Sequence, residues 1–89
     1  MERKLWELAV NEEGIVAGLA ENGRGLTERL RDLGFTPGSR VRCIRVSPMG
    51  DPAAYRIRGA LIALRQKDAA LVALKPGDEA SNGQGRSMI

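Results

Sequence analysis

A chain of 89 residues is long enough for one domain and too short for two. Its net charge of +3, from 14 basic and 11 acidic side chains, permits nucleic acid or an acidic protein face as a partner and demands neither. It has no histidine, a single cysteine and only three aromatics (Trp6, Phe35 and Tyr55), which excludes histidine-based catalysis and an internal disulfide and leaves an aliphatic core.

Leu5 and Leu8, set among charges, suit one helical turn lying on a core. Asn11-Glu12-Glu13-Gly14 is a turn signal, with Glu12 and Glu13 read as solvated charges. Ile15 to Leu19 reads as a short strand with Ile15, Ala17 and Leu19 on one face. Gly23-Arg24-Gly25 precedes a helix but lacks the full pattern of a phosphate-binding loop, so it reads as a loop. In that helix Leu26, Leu30 and Leu33 form one stripe, and Arg24 with Glu28 makes an i,i+4 pair. Gly34 then takes the left-handed position of a Schellman cap, with Phe35 folding back toward Leu30. Thr36-Pro37-Gly38-Ser39 fits a type II turn.

From Arg40 to Val46 basic and apolar residues alternate, placing Val41 and Cys43 inward. The alternation breaks at Ile44, where a β-bulge would return Val46 to the core. Ser47-Pro48-Met49-Gly50-Asp51-Pro52 is a stiff loop. Tyr55 and Ile57 point inward, and Gly59 turns the chain. Ala60 to Leu64, apolar on both faces, is expected to be the most buried strand. Gln66-Lys67-Asp68 reads as a turn, and Ala70 to Leu74 as the last strand. About five short strands and one short helix make a mainly β domain, a small barrel over residues 1–76. The polar tail, 77–89, with Asp78 and Glu79 as solvated charges, is expected to be disordered.

No apolar run approaches the roughly 18 residues that span a bilayer, and no apolar segment follows the charged Met1–Lys4, so the chain reads as cytoplasmic. An inward Cys43 packs as a small hydrophobe, and no ligand set for a transition metal is in view. Asp51 with backbone carbonyls could hold a divalent ion weakly, as a regulatory metal-binding domain would. No cofactor is called for. Two surfaces are candidates for binding. Arg40, Arg42, Arg56 and Arg58 would share the outer face of a hairpin, as in a nucleic-acid-binding barrel, though without stacking aromatics. The loop of Pro48, Met49, Gly50, Asp51 and Pro52 is preorganised by its prolines and carries Met49 at its tip without a core role.

The order of motifs resembles one family. Leu26-x3-Leu30-x2-Leu33-Gly34-Phe35-x-Pro37-Gly38 leads into an alternating strand. Pro48-Met49-Gly50-Asp51-Pro52, Tyr55-x-Ile57-x-Gly59 and Leu64-Arg65-x2-Asp68-Ala69 follow. From Leu5 to Leu74 the sequence is similar to the FeoA family, ferrous iron transport protein A. The resemblance implies an SH3-like barrel, transition-metal-ion binding, and a small cytosolic accessory of iron uptake that binds and modulates FeoB. FeoB is the membrane ferrous iron transporter, with an N-terminal GTPase domain, and either that domain or the membrane core is the implied partner. Contact with the membrane would be indirect. The expected contact surface is the loop Pro48–Pro52 with the exposed helix side near Arg29 and Arg31. Pairing of barrel edges or of the last strand would permit a homo-dimer.

Overall fold

The computed structural model describes residues 3–21 and 25–76. Arg24, and with it the Arg24–Glu28 pair and most of Gly23-Arg24-Gly25, lies outside these residues, as does the tail with Asp78 and Glu79. Six strands follow in chain order: β1 (Arg3–Lys4), β2 (Glu13–Leu19), β3 (Arg40–Val46), β4 (Ala53–Ile57), β5 (Ala60–Leu64) and β6 (Val72–Leu74). A 3-10 turn covers Leu5–Glu7, helix α1 spans Leu26–Leu33, and a short helix α2, Gln66–Ala69, stands where a turn was expected.

The strands form one antiparallel sheet in the order β1-β6-β2-β3-β4-β5. Strand β2 makes it bend. Its first half, Glu13 to Ile15, pairs with β3, while Val16 to Leu19 pairs with β6 across a register shift between Val16 and Gly18. One strand thus serves two walls, which is how a small barrel turns its corner. Gly14 sits at the bend. A Cβ there would stand 3.0 Å from Leu74 Cδ1 and 3.6 Å from Leu8 Cδ2, so the missing side chain gives those two leucines their place.

The core is aliphatic around two aromatics. Leu5, Leu8, Val16, Leu30, Phe35, Val41, Cys43, Tyr55, Ile57, Ala69, Val72 and Leu74 are buried. Leu5 and Leu8, on one side of the 3-10 turn, go inward as their spacing requires. On β2 the buried side chain is Val16, opposite to the face of Ile15, Ala17 and Leu19; of that trio Leu19 alone packs on the core, beyond the register shift. The α1 stripe is also narrower than its spacing suggests. Leu30 is buried and Leu26 packs on the core, but Leu33, in the last turn, is exposed, and Thr27 goes inward with its hydroxyl donating to Ala20 O at 2.6 Å.

The helix exit is a Schellman cap. Gly34 has φ 115°, its N–H donates to Arg31 O, and Phe35 N–H donates to Leu30 O, each at 3.0 Å. Ser39 N–H then donates to Thr36 O at 3.0 Å, with Gly38 at φ 92°, closing the expected turn.

Further strand readings need correction. The bulge in β3 falls between Cys43 and Arg45, yet Val46 beyond it is exposed. The bulge therefore does not return Val46 to the core. And β5 is not the most buried strand but the end of the sheet, with Ala60, Leu61 and Ala63 exposed and only Leu64 buried. The last strand begins at Val72, and β6, lying between β1 and β2, is no edge. Of the edges expected to pair with a second copy, β1 and β5 remain.

Candidate functional site

Ser47–Pro52 joins β3 to β4 as a self-bonded turn. Ser47 N–H donates to Pro52 O at 3.1 Å, Gly50 N–H donates to Ser47 O at 2.8 Å, and Gly50 has φ 87°. The Asp51–Pro52 peptide is cis. Met49 stands at the tip with 90% of its surface exposed. Asp51 Oδ1 accepts the backbone N–H of Gln66 at 2.9 Å. The carboxylate the sequence offered for a cation instead caps the first turn of α2, and the loop is thereby pinned at both its base and its flank.

Two concavities border the loop. The inner one, about 200 Å³, is floored by Tyr55 and Leu64 and walled by Trp6, Val46, Asp51 and Gln66. The outer one, about 310 Å³, lies on the outside of the sheet among Arg45, Pro48, Pro52, Ala54 and Ala63. Trp6 is the functional candidate that sequence reasoning missed. With Leu5 and Leu8 committed to the core, the two residues between them, Trp6 and Glu7, face outward, and Trp6 stands 43% exposed beside the loop. A half-exposed tryptophan beside a loop whose tip carries an exposed methionine offers large, adaptable apolar groups, the kind that anchor protein contacts.

The helix residues Arg29 and Arg31 are exposed, with Arg31 Nη2 3.8 Å from Glu21 Oε2. They do not border either concavity. The C-terminal end of α1 meets the other end of β4: the Arg58 side chain packs on Gly34, its Cδ 2.7 Å from where a Cβ would stand. The five residues of β4, roughly 17 Å of strand, separate Arg58 from the loop.

The arginine face is real but partly spent. Arg42 and Arg56 are direct cross-strand partners, and Arg40 and Arg58 are exposed at the ends of the same two strands. Arg42 Nη1 donates to Asn11 O at 2.8 Å and its Nη2 lies 3.8 Å from Glu13, while Arg58 covers Gly34. No aromatic joins this face: Phe35 and Tyr55 are buried and Trp6 lines the inner concavity. A platform for stacked bases is therefore lacking among the described residues.

Glu12 is no solvated charge. Arg3 Nη1 donates to its Oε2 at 2.6 Å and Ala9 N–H donates to its Oε1 at 2.9 Å. The Arg3 hydrogen bond holds the Glu12 carboxyl below the usual carboxylate range. Cys43 is fully buried, and burial pushes its thiol up, away from nucleophilic or ligating use. No group of three or more Cys, Asp or Glu comes together among the described residues, so these side chains do not fit a resident transition-metal ion.

The chain as a whole is similar to known proteins. The sequence is 30% identical over 70 residues to a fusion of Fe(2+) transport protein A with the Fe(2+) transporter FeoB from Porphyromonas gingivalis (strain ATCC BAA-308 / W83). The match covers 78% of this chain but 8% of that relative's length. Stenotrophomonas maltophilia FeoA, an SH3 domain protein complexed with zinc, superposes with a TM-score of 0.75 at 28% identity, over 82% of this chain and 89% of the other. Iron(II) transport protein A from Clostridium thermocellum does so with a TM-score of 0.75 at 32% identity, over 82% and 44% of the two chains. The barrel is thus SH3-like. With residues 3–76 matching the FeoA domain model, the chain belongs to the FeoA domain family.

Proposed function

We propose that this protein is a small cytoplasmic accessory of ferrous iron uptake that docks on the FeoB transporter and modulates it, without catalysis of its own. The observation that carries the docking is the union of a FeoA domain and FeoB in one chain in the Porphyromonas gingivalis relative, since domains fused in one protein are often partners when separate. No helix among the described residues is long and apolar enough to cross a membrane, so contact with the bilayer would run through the transporter. The contact surface is the loop Pro48–Pro52. Its cap on Gln66 and its internal bonds reduce the entropy lost on binding, and Met49 and Trp6 supply apolar area. Arg29 and Arg31, exposed on α1 and bordering neither concavity, would engage a separate patch of the same partner.

The test is capture of the cytosolic GTPase domain of FeoB by the full chain, with and without nucleotide. Saturable binding that is lost in Met49→Asp, at unchanged melting temperature, supports the reading. Binding unaffected by Met49→Asp removes the loop from it. No binding to this domain or to the membrane core of FeoB overturns the docking.

A further inference from the structure

Strand β5 ends the sheet: β4 is hydrogen-bonded along one side and no strand lies along the other among the described residues. Such an edge is ordinarily blunted by a charge, a proline, a bulge or a covering segment. Ala60-Leu61-Ile62-Ala63-Leu64 contains no charge or proline, pairs with β4 residue for residue without a bulge, and leaves Leu61 57% exposed. The rows beside it are basic. Leu61 lies opposite Arg56, which lies opposite Arg42; Ala63 lies opposite Ala54, which lies opposite Arg45. Strands β3, β4 and β5 carry no acidic residue, and Arg65 follows β5 directly. Arg45, Arg56 and Arg65 make no ion pair among the described residues.

The geometry points to strand addition: β5 receives an extended, acidic segment of a partner protein as a seventh strand, with the partner's carboxylates on the arginine-bearing outer face. The free backbone groups of β5 would supply the hydrogen bonds. Adjacent strands lie about 4.8 Å apart, so an added strand would run about 10 Å from β4, a distance that an arginine and a glutamate leaning toward each other can bridge. Apolar side chains alternating with those carboxylates would face the other way, toward the half-buried side of Ile62. Charge decides between occupants. A second copy of this chain would bring up another β5 with no acidic residue and another basic face, so it supplies no carboxylate to Arg56 or Arg65. Nucleic acid would satisfy the charge but not Leu61, and finds no aromatic on this face to stack on. The inference goes beyond docking on FeoB, because it uses a different edge of the barrel and needs no particular partner.

The test is a titration of the isotopically labelled full chain with a synthetic peptide alternating Val and Glu, its Val–Lys counterpart, and single-stranded oligo-dT, followed by amide NMR. The expected result is saturable shifts and slowed amide exchange across Ala60–Leu64 with the Val–Glu peptide alone. Leu61→Asp, at an exposed position, should weaken that binding about tenfold without changing the melting temperature. Shifts confined to other elements, equal response to the Val–Lys peptide, stronger response to oligo-dT, or concentration-dependent self-pairing at β5 would each overturn the inference. If the FeoB domain binds through Met49 while β5 ignores the peptide, this inference fails and the docking stands; the reverse pattern has the reverse meaning.

Discussion

The Asp51 carboxylate accepts the backbone N–H of Gln66 at 2.9 Å, across 15 residues of sequence. It ties the Pro48–Pro52 loop to the first turn of α2 and forms one wall of the inner concavity beside Trp6. One side chain therefore supplies a cap for a short helix and holds the proposed docking loop in register with the barrel. Asp51→Ala should cost about 1 kcal/mol, the usual worth of a capping carboxylate. Urea denaturation measures that loss, and amide exchange should speed at Gln66 while the central sheet is unchanged. Asp51→Asn, which keeps an acceptor oxygen, should recover much of it. An unchanged Gln66 amide in the alanine variant would mean the cap contributes nothing in solution.

The Arg3–Glu12 pair ties β1 to the turn before β2, with side chains 30% and 37% exposed. Glu12 titrates below its ordinary range because of the Arg3 hydrogen bond. A carboxyl depressed in the folded state stabilises above its unfolded pKa of about 4.3, and that stabilisation is lost as pH falls through the lower folded value. Acidification below about pH 4 should therefore erode stability more in the native chain than in Glu12→Gln. At neutral pH, Glu12→Ala should cost roughly 1 kcal/mol, a figure already reduced for solvent screening. Identical acid limbs for the native chain and the Glu12→Gln variant in a urea-midpoint series would show the pair to be inert.

Gly34 and Arg58 are coupled across the fold. Gly34 needs φ 115°, and Arg58 Cδ occupies the space of a Cβ at 2.7 Å. Gly34→Ala meets both obstacles, backbone strain of about 1–2 kcal/mol and a clash with a side chain that can move. Arg58→Ala should relieve the second and leave the first. In a double-mutant cycle the two substitutions together should be less destabilising than their sum, and full additivity would mean Arg58 already stands clear of Gly34 in solution.

Local chemistry was legible in the sequence; position within the sheet was not. The Leu30-to-Phe35 exit, the Thr36–Ser39 turn and the inward Tyr55 and Ile57 could be read because each depends on neighbours within a few residues. Ala60–Leu64 misled because apolar composition marks a buried strand only when both sides are covered, and whether a strand is central or terminal depends on pairings far along the chain. Val46 misled similarly: a bulge could be foreseen, but not which side chains beyond it would face the core. At the candidate site the loop was visible from its prolines. Its partners were not, because Trp6 and Gln66 reach it from more than ten residues away on either side. Glu12 looked solvated because Arg3, its partner, lies across a turn.

Tyr55 and Cys43 are cross-strand partners, both buried, and burial pushes the Tyr55 hydroxyl up to about 12 and raises the Cys43 thiol. Each group is uncharged when protonated, so each favours the folded state while the proton stays on. That contribution is whole below the unfolded values, about 8.5 for cysteine and 10 for tyrosine, and declines as pH rises toward the folded ones. Tyrosinate absorbance should therefore be absent at about pH 10.5 in the folded chain and present in the urea-unfolded chain. The urea midpoint should fall over the same range, and Tyr55→Phe should flatten the fall. A disulfide-exchange reagent should label Cys43 no faster than the barrel opens, with a rate that tracks unfolding as urea rises. Rapid labelling at neutral pH would place the thiol outside the core and undo the reading of Cys43 as a packing residue.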